Sequence, residues 1–184
     1  MEVLTGTHRA HFVAMWVLFA AEVLCLAATA PPLRLVAPVW LWAGLVGLVA
    51  LLFLSALVRC FSAQFPRRGG WFDPVLYVWN LPRGLKAWYG IALCLVGLGL
   101  ATAAGAQDAR QDGTGYYLQR HDTRTQLTRA EYEKARAAFV RIATGIPAGL
   151  CVTGSFLVLL SADIAHGAAE AAARPRPGGG RHRP

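Results

Sequence analysis

The chain has 184 residues, of which 55% are hydrophobic and 15% are charged, and its formal net charge is +8. Soluble domains carry charged residues at about a quarter of their positions, so this composition argues against a soluble protein. The basic residues flank long apolar runs, which favours anionic lipid headgroups and not nucleic acid as their partner.

Four apolar runs dominate the sequence. They are 19, 23, 20 and 21 residues long and cover Phe12–Ala30, Val36–Val58, Ala87–Ala106 and Ile142–Ala162. A helix of about 20 residues crosses a hydrocarbon core of about 30 Å. The sequence therefore predicts an all-α integral membrane protein built as a four-helix transmembrane bundle. The segments around these spans are residues 1–11, 31–35, 59–86, 107–141 and 163–184, and we expect the last of them to be a disordered basic tail.

The first run carries a single charged residue, Glu22, near its centre. A carboxyl at the bilayer centre costs about 2.5–3.5 kcal/mol on insertion scales, so we expect it to face protein and to be protonated. Cys151 and Thr153 lie at a similar depth in the fourth run and could supply a hydrogen bond. Glu22 is then either a proton or cation site, an acid that fixes the pairing of helices, or the partner of a basic residue in another subunit.

The first run could also be a cleavable signal peptide, since Ala28-Thr29-Ala30 is similar to a small-residue cleavage site. Pro31 and Pro32 follow directly and disfavour cleavage. We therefore expect the run to remain as a span.

The tetrapeptide Ala20-Ala21-Glu22-Val23 resembles the first helix of the small multidrug resistance transporters. In that family a single membrane glutamate binds a proton and a cationic drug in turn, so the resemblance implies that Glu22 is the coupling acid. It covers four residues, and this chain differs from the family in its long outer loop and basic tail.

Residues 59–86 combine aromatic and basic residues with three prolines, Pro66, Pro74 and Pro82. Tryptophan and tyrosine prefer the membrane interface, and arginine stems can reach the headgroups. We expect an aromatic anchor on the cytoplasmic surface. The alternative is a surface that admits a substrate or a partner.

The loop of residues 107–141 contains the most specific local signals. Tyr116–Arg120 and Thr123–Leu127 predict a short hairpin with His121-Asp122 at its bend. Thr128-Arg129-Ala130-Glu131 spells a capping box. Apolar residues then continue at helical spacing, which predicts an amphipathic helix that extends the fourth span outward.

A structured outer element on a small membrane protein suggests a docking surface for another protein. The alternative is a lid that packs on the chain's own helices. The candidate partner-binding residues are Tyr116, Tyr117, Arg120, His121, Asp122, Arg124, Tyr132 and Arg136.

Small residues indicate where helices approach closely. Gly145 and Gly149 form a GxxxG pair, and Gly97 lies on the small-sided third run. Such residues replace the hydrophobic drive that is missing between helices in lipid. These contacts could form within one chain or between copies in a homo-oligomer.

The sequence contains no nucleophile motif, phosphate-binding loop, dinucleotide fingerprint or metal-ligand cluster, so we predict no catalytic residue, metal or cofactor. The four cysteines include no CxxC pair. His11 and His166 could ligate a haem, but both lie at the ends of spans in the interface.

Four spans place both chain ends and the middle segment on one side. That side carries ten lysine and arginine residues and the other side eight, so the positive-inside rule predicts that it is cytoplasmic. Arginine outnumbers lysine sixteen to two, a bias typical of GC-rich bacteria. We therefore expect a bacterial plasma-membrane protein with both ends inside.

The predicted function is non-enzymatic binding of another protein through the outer loop, as an accessory subunit or an immunity-type protective protein. The immunity interpretation is an analogy at the level of the fold. The alternative is a proton- or cation-coupled transporter or channel subunit that uses Glu22.

Overall fold

The computed structural model describes residues 4, 6–30, 38–64, 77–79, 81–103, 109–113, 115–120 and 123–173. The long helices among them are α1 (Gly6–Ala28), α2 (Val39–Gln64), α3 (Arg83–Ala101) and α4 (Arg129–Ala173). Each of these four helices is long and apolar enough to cross a membrane. The prediction of a mostly helical chain with four such helices is confirmed.

The helices extend beyond the apolar runs that predicted them. The first begins at Gly6, and α4 is 45 residues long and continues to Ala173, although the sequence led us to expect a disordered tail from residue 163. Alanine and glutamate follow the apolar run, and both are good helix formers. At about 1.5 Å per residue, α4 is about 68 Å long, more than twice the thickness of a hydrocarbon core.

The central helix of the described fold is α4, which contacts each of the other three helices. Small residues on several of its sides are buried, among them Ala148, Cys151, Gly154 and Ser155. Half of the most apolar 18-residue stretch of α4 is buried, compared with 11% of the corresponding stretch of α2. Small side chains allow several helices to approach one backbone, which is how helices associate in lipid.

Helices that follow one another along the chain alternate in direction. Arg59, near the end of α2, donates a hydrogen bond from Nη1 to Oγ1 of Thr7 at the start of α1 (3.2 Å). Trp42, near the start of α2, packs edge-on against Phe139 of α4, with ring centroids 6.4 Å apart. Arg141 of α4 reaches the ends of both α1 and α3. Hence α1 and α3 run in one direction, and α2 and α4 run in the other.

Large apolar side chains cover much of the outside of these helices. Leu24 on α1, Trp40 on α2 and Leu98 on α3 are exposed to 71%, 74% and 64%. Monomeric soluble proteins rarely expose contiguous apolar patches of more than a few hundred Å². This exterior favours a hydrocarbon environment.

An antiparallel sheet precedes α4. Its strands β1 (Ala109–Asp112), β2 (Gly115–Arg120) and β3 (Thr123–Leu127) lie in the order β1-β2-β3. The sequence predicted a hairpin at the positions of β2 and β3, and the structure adds β1 along the other edge of β2. Two strands alone are marginal in water, so the third strand supports the sheet. Gly115 adopts φ +133°, a conformation that residues with a side chain rarely adopt.

The strands pass directly into α4 through the capping box. The backbone N–H of Glu131 donates to Oγ1 of Thr128 (3.3 Å), and the backbone N–H of Thr128 donates to Oε2 of Glu131 (2.8 Å). These reciprocal hydrogen bonds satisfy N–H groups that a helix start leaves unpaired. We call the end of the molecule that carries the strands the sheet end, and the end where α1 and α3 begin the opposite end.

Candidate functional site

The sheet is attached to α4 by two stacked tyrosines. The rings of Tyr116 on β2 and Tyr132 on α4 lie 4.6 Å apart between centroids, with an angle of 29° between their planes. These two candidate residues therefore face each other at the contact between sheet and helix. They hold the sheet in place and are not a free surface.

Alternate residues of a strand point to opposite faces of the sheet. Tyr117 follows Tyr116 directly, so it lies on the face turned away from α4, and the strand register places Arg110, Asp112, Arg124 and Gln126 on that face as well. We call these five residues the open sheet face.

The open sheet face is internally ordered. The guanidinium of Arg124 lies 3.6 Å from the centroid of the Tyr117 ring and forms an ion pair with Asp112. A cation–π contact and an ion pair together restrict a side chain that would otherwise adopt many rotamers. The side chain of Arg124 is still 52% exposed. The result is a tyrosine and an arginine presented to the surroundings in a fixed arrangement.

A cleft of about 790 Å³ lies between the sheet and α4. Its lining includes four basic side chains and one acid, which are Arg129, Lys134, Arg136, Arg141 and Glu133. Arg129 and Glu133 pair at 3.0 Å. The remaining charge is positive, and Arg136, a candidate from the sequence, belongs to this cleft and not to the open sheet face.

The floor of the cleft is formed by Arg141 and Thr29. Arg141 donates from Nε to Oγ1 of Thr29 (3.2 Å), from Nη2 to the carbonyl oxygen of Thr29 (3.3 Å) and from Nη1 to the carbonyl oxygen of Thr102 (3.1 Å). Helix C-termini carry unpaired carbonyls and a partial negative charge, which a guanidinium complements. Arg141 therefore ties the ends of α1 and α3 to α4 beneath the sheet. In the sequence, Arg141 is only one of the basic residues of the loop of residues 107–141.

Of the other candidates for partner binding, Arg120 pairs through its backbone with Thr123 across β2 and β3. The side chain of Arg120, and the residues His121 and Asp122, lie outside the described part of the chain.

Glu22 is the second candidate site. Its side chain is completely buried, and among the described residues neither carboxyl oxygen has a hydrogen-bond partner. The buried hydroxyls of Thr144, Ser155 and Ser161 behave differently, since each donates to a carbonyl of its own helix. An unpaired polar atom away from water costs about 1–3 kcal/mol, so this carboxyl is an exception that needs a reason.

The two predicted partners of Glu22 occupy different environments. Cys151 is buried but forms no hydrogen bond with Glu22. Thr153 is exposed, and its hydroxyl donates to the carbonyl of Gly149 (3.0 Å). Thr153 lies on an exposed side of α4, so it does not serve the buried acid as a hydrogen-bond partner.

The predicted packing glycines also differ from one another. A side chain at Gly145 would meet Leu100 of α3 at 2.9 Å, and one at Gly149 would meet Val96 at 3.6 Å. Both therefore lie where α3 and α4 approach. Gly97 is exposed and nothing lies within 4 Å of the position that a β-carbon would take there, whereas Gly99 lies against Leu26. Gly97 does not take part in helix packing within the described chain.

The histidines at the opposite end are engaged by protein groups. Nε2 of His11 lies 3.0 Å from the carbonyl oxygen of Leu52, to which it donates in the tautomer protonated there. Nε2 of His166 lies 3.2 Å from Oε1 of Glu170 on the same helix. Among the described residues, no group of three or more His, Cys, Asp or Glu side chains could hold a metal ion.

No protein-family model matches this sequence, and comparison with curated proteins and with solved structures also gave no match. The function is therefore argued from the sites themselves, because a fold alone does not imply one.

Proposed function

We propose that this chain is a multi-pass protein of a bacterial plasma membrane that binds another protein through its sheet end, as an accessory subunit or an immunity-type protective protein. The observation that carries the proposal is the open sheet face. It presents Tyr117 and Arg124 in a fixed geometry on a sheet that is stacked against a long helix.

The membrane placement is supported by the four apolar helices and their apolar exterior. The alternating directions of successive helices support a topology in which the start of α1 and the end of α4 lie on the same side. The basic residues favour that side as cytoplasmic, with the sheet outside. The first turns of α4 would then stand above the membrane and carry the sheet beyond the headgroups.

Binding is favoured over a lid on the chain's own helices because the sheet uses only one face against α4. Tyr116 and Gln111, on the helix side, meet α4 at the stacked tyrosines and in the cleft. Tyrosine and arginine are over-represented among the residues that dominate binding energy at interfaces. Rigid presentation also reduces the entropy lost when a partner is bound.

The partner is expected to present acidic groups. The cleft carries four basic residues and one acid, and the open sheet face carries two arginines and one aspartate. Opposite charge on the partner would speed association and exclude basic competitors.

A photo-crosslinking amino acid at Gln126 tests this proposal, because Gln126 is exposed on the open sheet face. We expect an adduct of defined mass in intact cells, and the same probe at Trp40 on the apolar exterior should give none. Tyr117→Ala combined with Arg124→Ala should weaken partner binding by at least about tenfold, because each such residue contributes more than about 1 kcal/mol when it dominates an interface.

Arg9→Ala is the matched control, since it removes an exposed arginine from the opposite end. An adduct that survives the double substitution unchanged, or one that Arg9→Ala removes equally, contradicts the proposal.

The unpaired carboxyl of Glu22 favours a second candidate, a proton- or cation-coupled transporter or channel subunit. Ionisable groups inside the membrane commonly mark proton or ion pathways. In proteoliposomes, Glu22→Gln should abolish proton-coupled flux and leave binding at the sheet unchanged, while the Tyr117 and Arg124 substitutions should do the reverse. Flux that persists in Glu22→Gln excludes this candidate.

A further inference from the structure

An apolar groove runs between α3 and α4 near the opposite end. It has a volume of about 690 Å³, and its walls include Leu81, Tyr89, Leu93, Val152 and Phe156. A volume of this size fits a small molecule or a lipid chain, whereas a protein helix needs a wider surface. None of the residues assigned to partner binding lines it.

The surface of the groove is apolar because the hydroxyl groups of its walls are already hydrogen-bonded. The hydroxyl of Tyr89 is hydrogen-bonded to Ser155 (3.0 Å), and the Tyr89 ring packs edge-on against Phe156, with centroids 6.1 Å apart. The hydroxyl of Thr153 donates to the carbonyl of Gly149. Gly90 contributes open space, since nothing lies within 4 Å of the position that its β-carbon would take.

The mouth of the groove carries positive charge. The ammonium group of Lys86 donates a hydrogen bond to the carbonyl of Trp79 and lies 5.8 Å from the centroid of the Trp79 ring. An ammonium has three N–H donors, so others remain for a ligand. Arg83 is exposed one helical turn before Lys86, and Trp79 is 77% exposed.

Among the described acids, Asp163 of α4 lies close enough to Tyr77 to influence the pKa of its phenol. Burial, with smaller contributions from Asp163 and Tyr89, raises the pKa of Tyr77 to about 12, so its phenol is neutral at physiological pH. Within the described part of the chain, the mouth therefore carries the cation Lys86, with Arg83 one helical turn before it.

We propose that this groove binds one acyl chain of an anionic phospholipid of the inner leaflet, with its phosphate at Lys86 and Arg83 and its glycerol region beside Trp79. This ligand is inferred because the groove is apolar and its mouth, at one end, carries basic residues and a tryptophan. Tryptophan prefers the headgroup layer, and basic residues there attract anionic lipids. From Lys86 to Leu93 the slot extends for about 10 Å along α3. The inference rests on the membrane placement proposed above, but not on the partner of the sheet.

The test uses the full chain in detergent, with added phosphatidylglycerol or phosphatidylcholine of identical acyl chains, and native mass spectrometry to count retained lipids. We expect phosphatidylglycerol to be retained in preference to phosphatidylcholine. Lys86→Ala should weaken phosphatidylglycerol binding by about fivefold and reduce the preference. Arg9→Ala, an exposed arginine on the same side but outside the groove, should leave it unchanged.

Gly90→Leu tests the apolar part of the groove separately, because the leucine side chain fills the groove while Lys86 and Arg83 remain. It should reduce retention of both lipids, and its higher helix propensity argues against misfolding. Gly47→Leu, on the exposed surface of α2 with open space around it, is the matched control. Equal retention of the two lipids by the natural chain, unchanged retention in Gly90→Leu, or equal losses in Lys86→Ala and Arg9→Ala would overturn the proposal. If the lipid is lost but the crosslink at Gln126 still forms, the proposal of partner binding is unaffected.

Discussion

Among the described residues, Glu22 departs furthest from the usual environment of a buried polar side chain. Its position was evident from the sequence, because one acid interrupts an apolar run. The absence of a hydrogen-bond partner among the described residues was not evident, since it depends on which helices face α1 and on the rotamers of Thr153 and its neighbours. An acid kept only to join helices would be expected to have such a partner.

We expect Glu22→Leu to raise the free energy of unfolding in detergent by about 1–3 kcal/mol, because it removes a buried polar group that nothing satisfies. Glu22→Gln has nearly the same shape and leaves two polar atoms buried, so it should bring no such gain. Equilibrium unfolding followed by circular dichroism measures both. If Glu22→Leu destabilised the protein, the carboxyl would have a structural partner.

Arg141 contributes to stability at a point where three helices meet. Arg141→Ala removes three hydrogen bonds to Thr29 and Thr102. Since bonds to a charged donor are stronger than neutral ones, the loss should be about 2 kcal/mol. Arg136→Ala, one of the cleft residues with an exposed side chain, should change stability by less than about 0.5 kcal/mol. Similar losses of stability in both variants would show that the positive charge of the cleft, and not the hydrogen bonds of Arg141, is what affects stability.

At the scale of secondary-structure elements, the sequence predicted those features that depend on residues close together in the chain. The capping box predicted the start of α4, because Thr128 and Glu131 interact within one turn. The strand β1 was not predicted, because Ala-Arg-Gln-Asp shows neither apolar alternation nor β-branched residues. Its hydrogen bonds with β2 hold these four residues in an extended strand, although their own sequence does not favour one. The face that each strand residue occupies also required the register, and it separated Tyr116 from Tyr117.

Thr128→Ala should weaken the first turn of α4 by about 1 kcal/mol, because the cap satisfies N–H groups that are otherwise unpaired. Most of α4 is held by packing against other helices, so the effect should remain local. Amide hydrogen exchange should accelerate in residues 129–133 and stay unchanged beyond Ile142. Thr125→Ala on β3, which removes an exposed threonine without a capping role, is the control. Faster exchange throughout α4 would contradict a local role of the cap.

At the scale of the whole molecule, hydropathy located the four helices but not their arrangement. The lengths of the runs are nearly equal, so they gave no sign that α4 would lie at the centre. The distinguishing property is the distribution of small residues, which line several sides of α4 but leave Gly97 of α3 exposed. Which glycines meet another helix depends on helix rotation, and single-sequence spacing does not determine that rotation.

The sidedness of the molecule decides whether the sheet meets partners outside or inside the cell. With both ends cytoplasmic, an impermeant maleimide should label Gln126→Cys in intact cells, and Arg9→Cys only after permeabilisation. The parent chain is the control for its four cysteines, of which Cys60 and Cys151 are buried. The two probes lie at opposite ends of the described fold, so a membrane-spanning arrangement requires opposite labelling. Labelling of both probes in intact cells would argue against membrane insertion, and the reversed pattern would place the sheet in the cytoplasm. Only the expected pattern gives Tyr117 and Arg124 access to an extracellular partner.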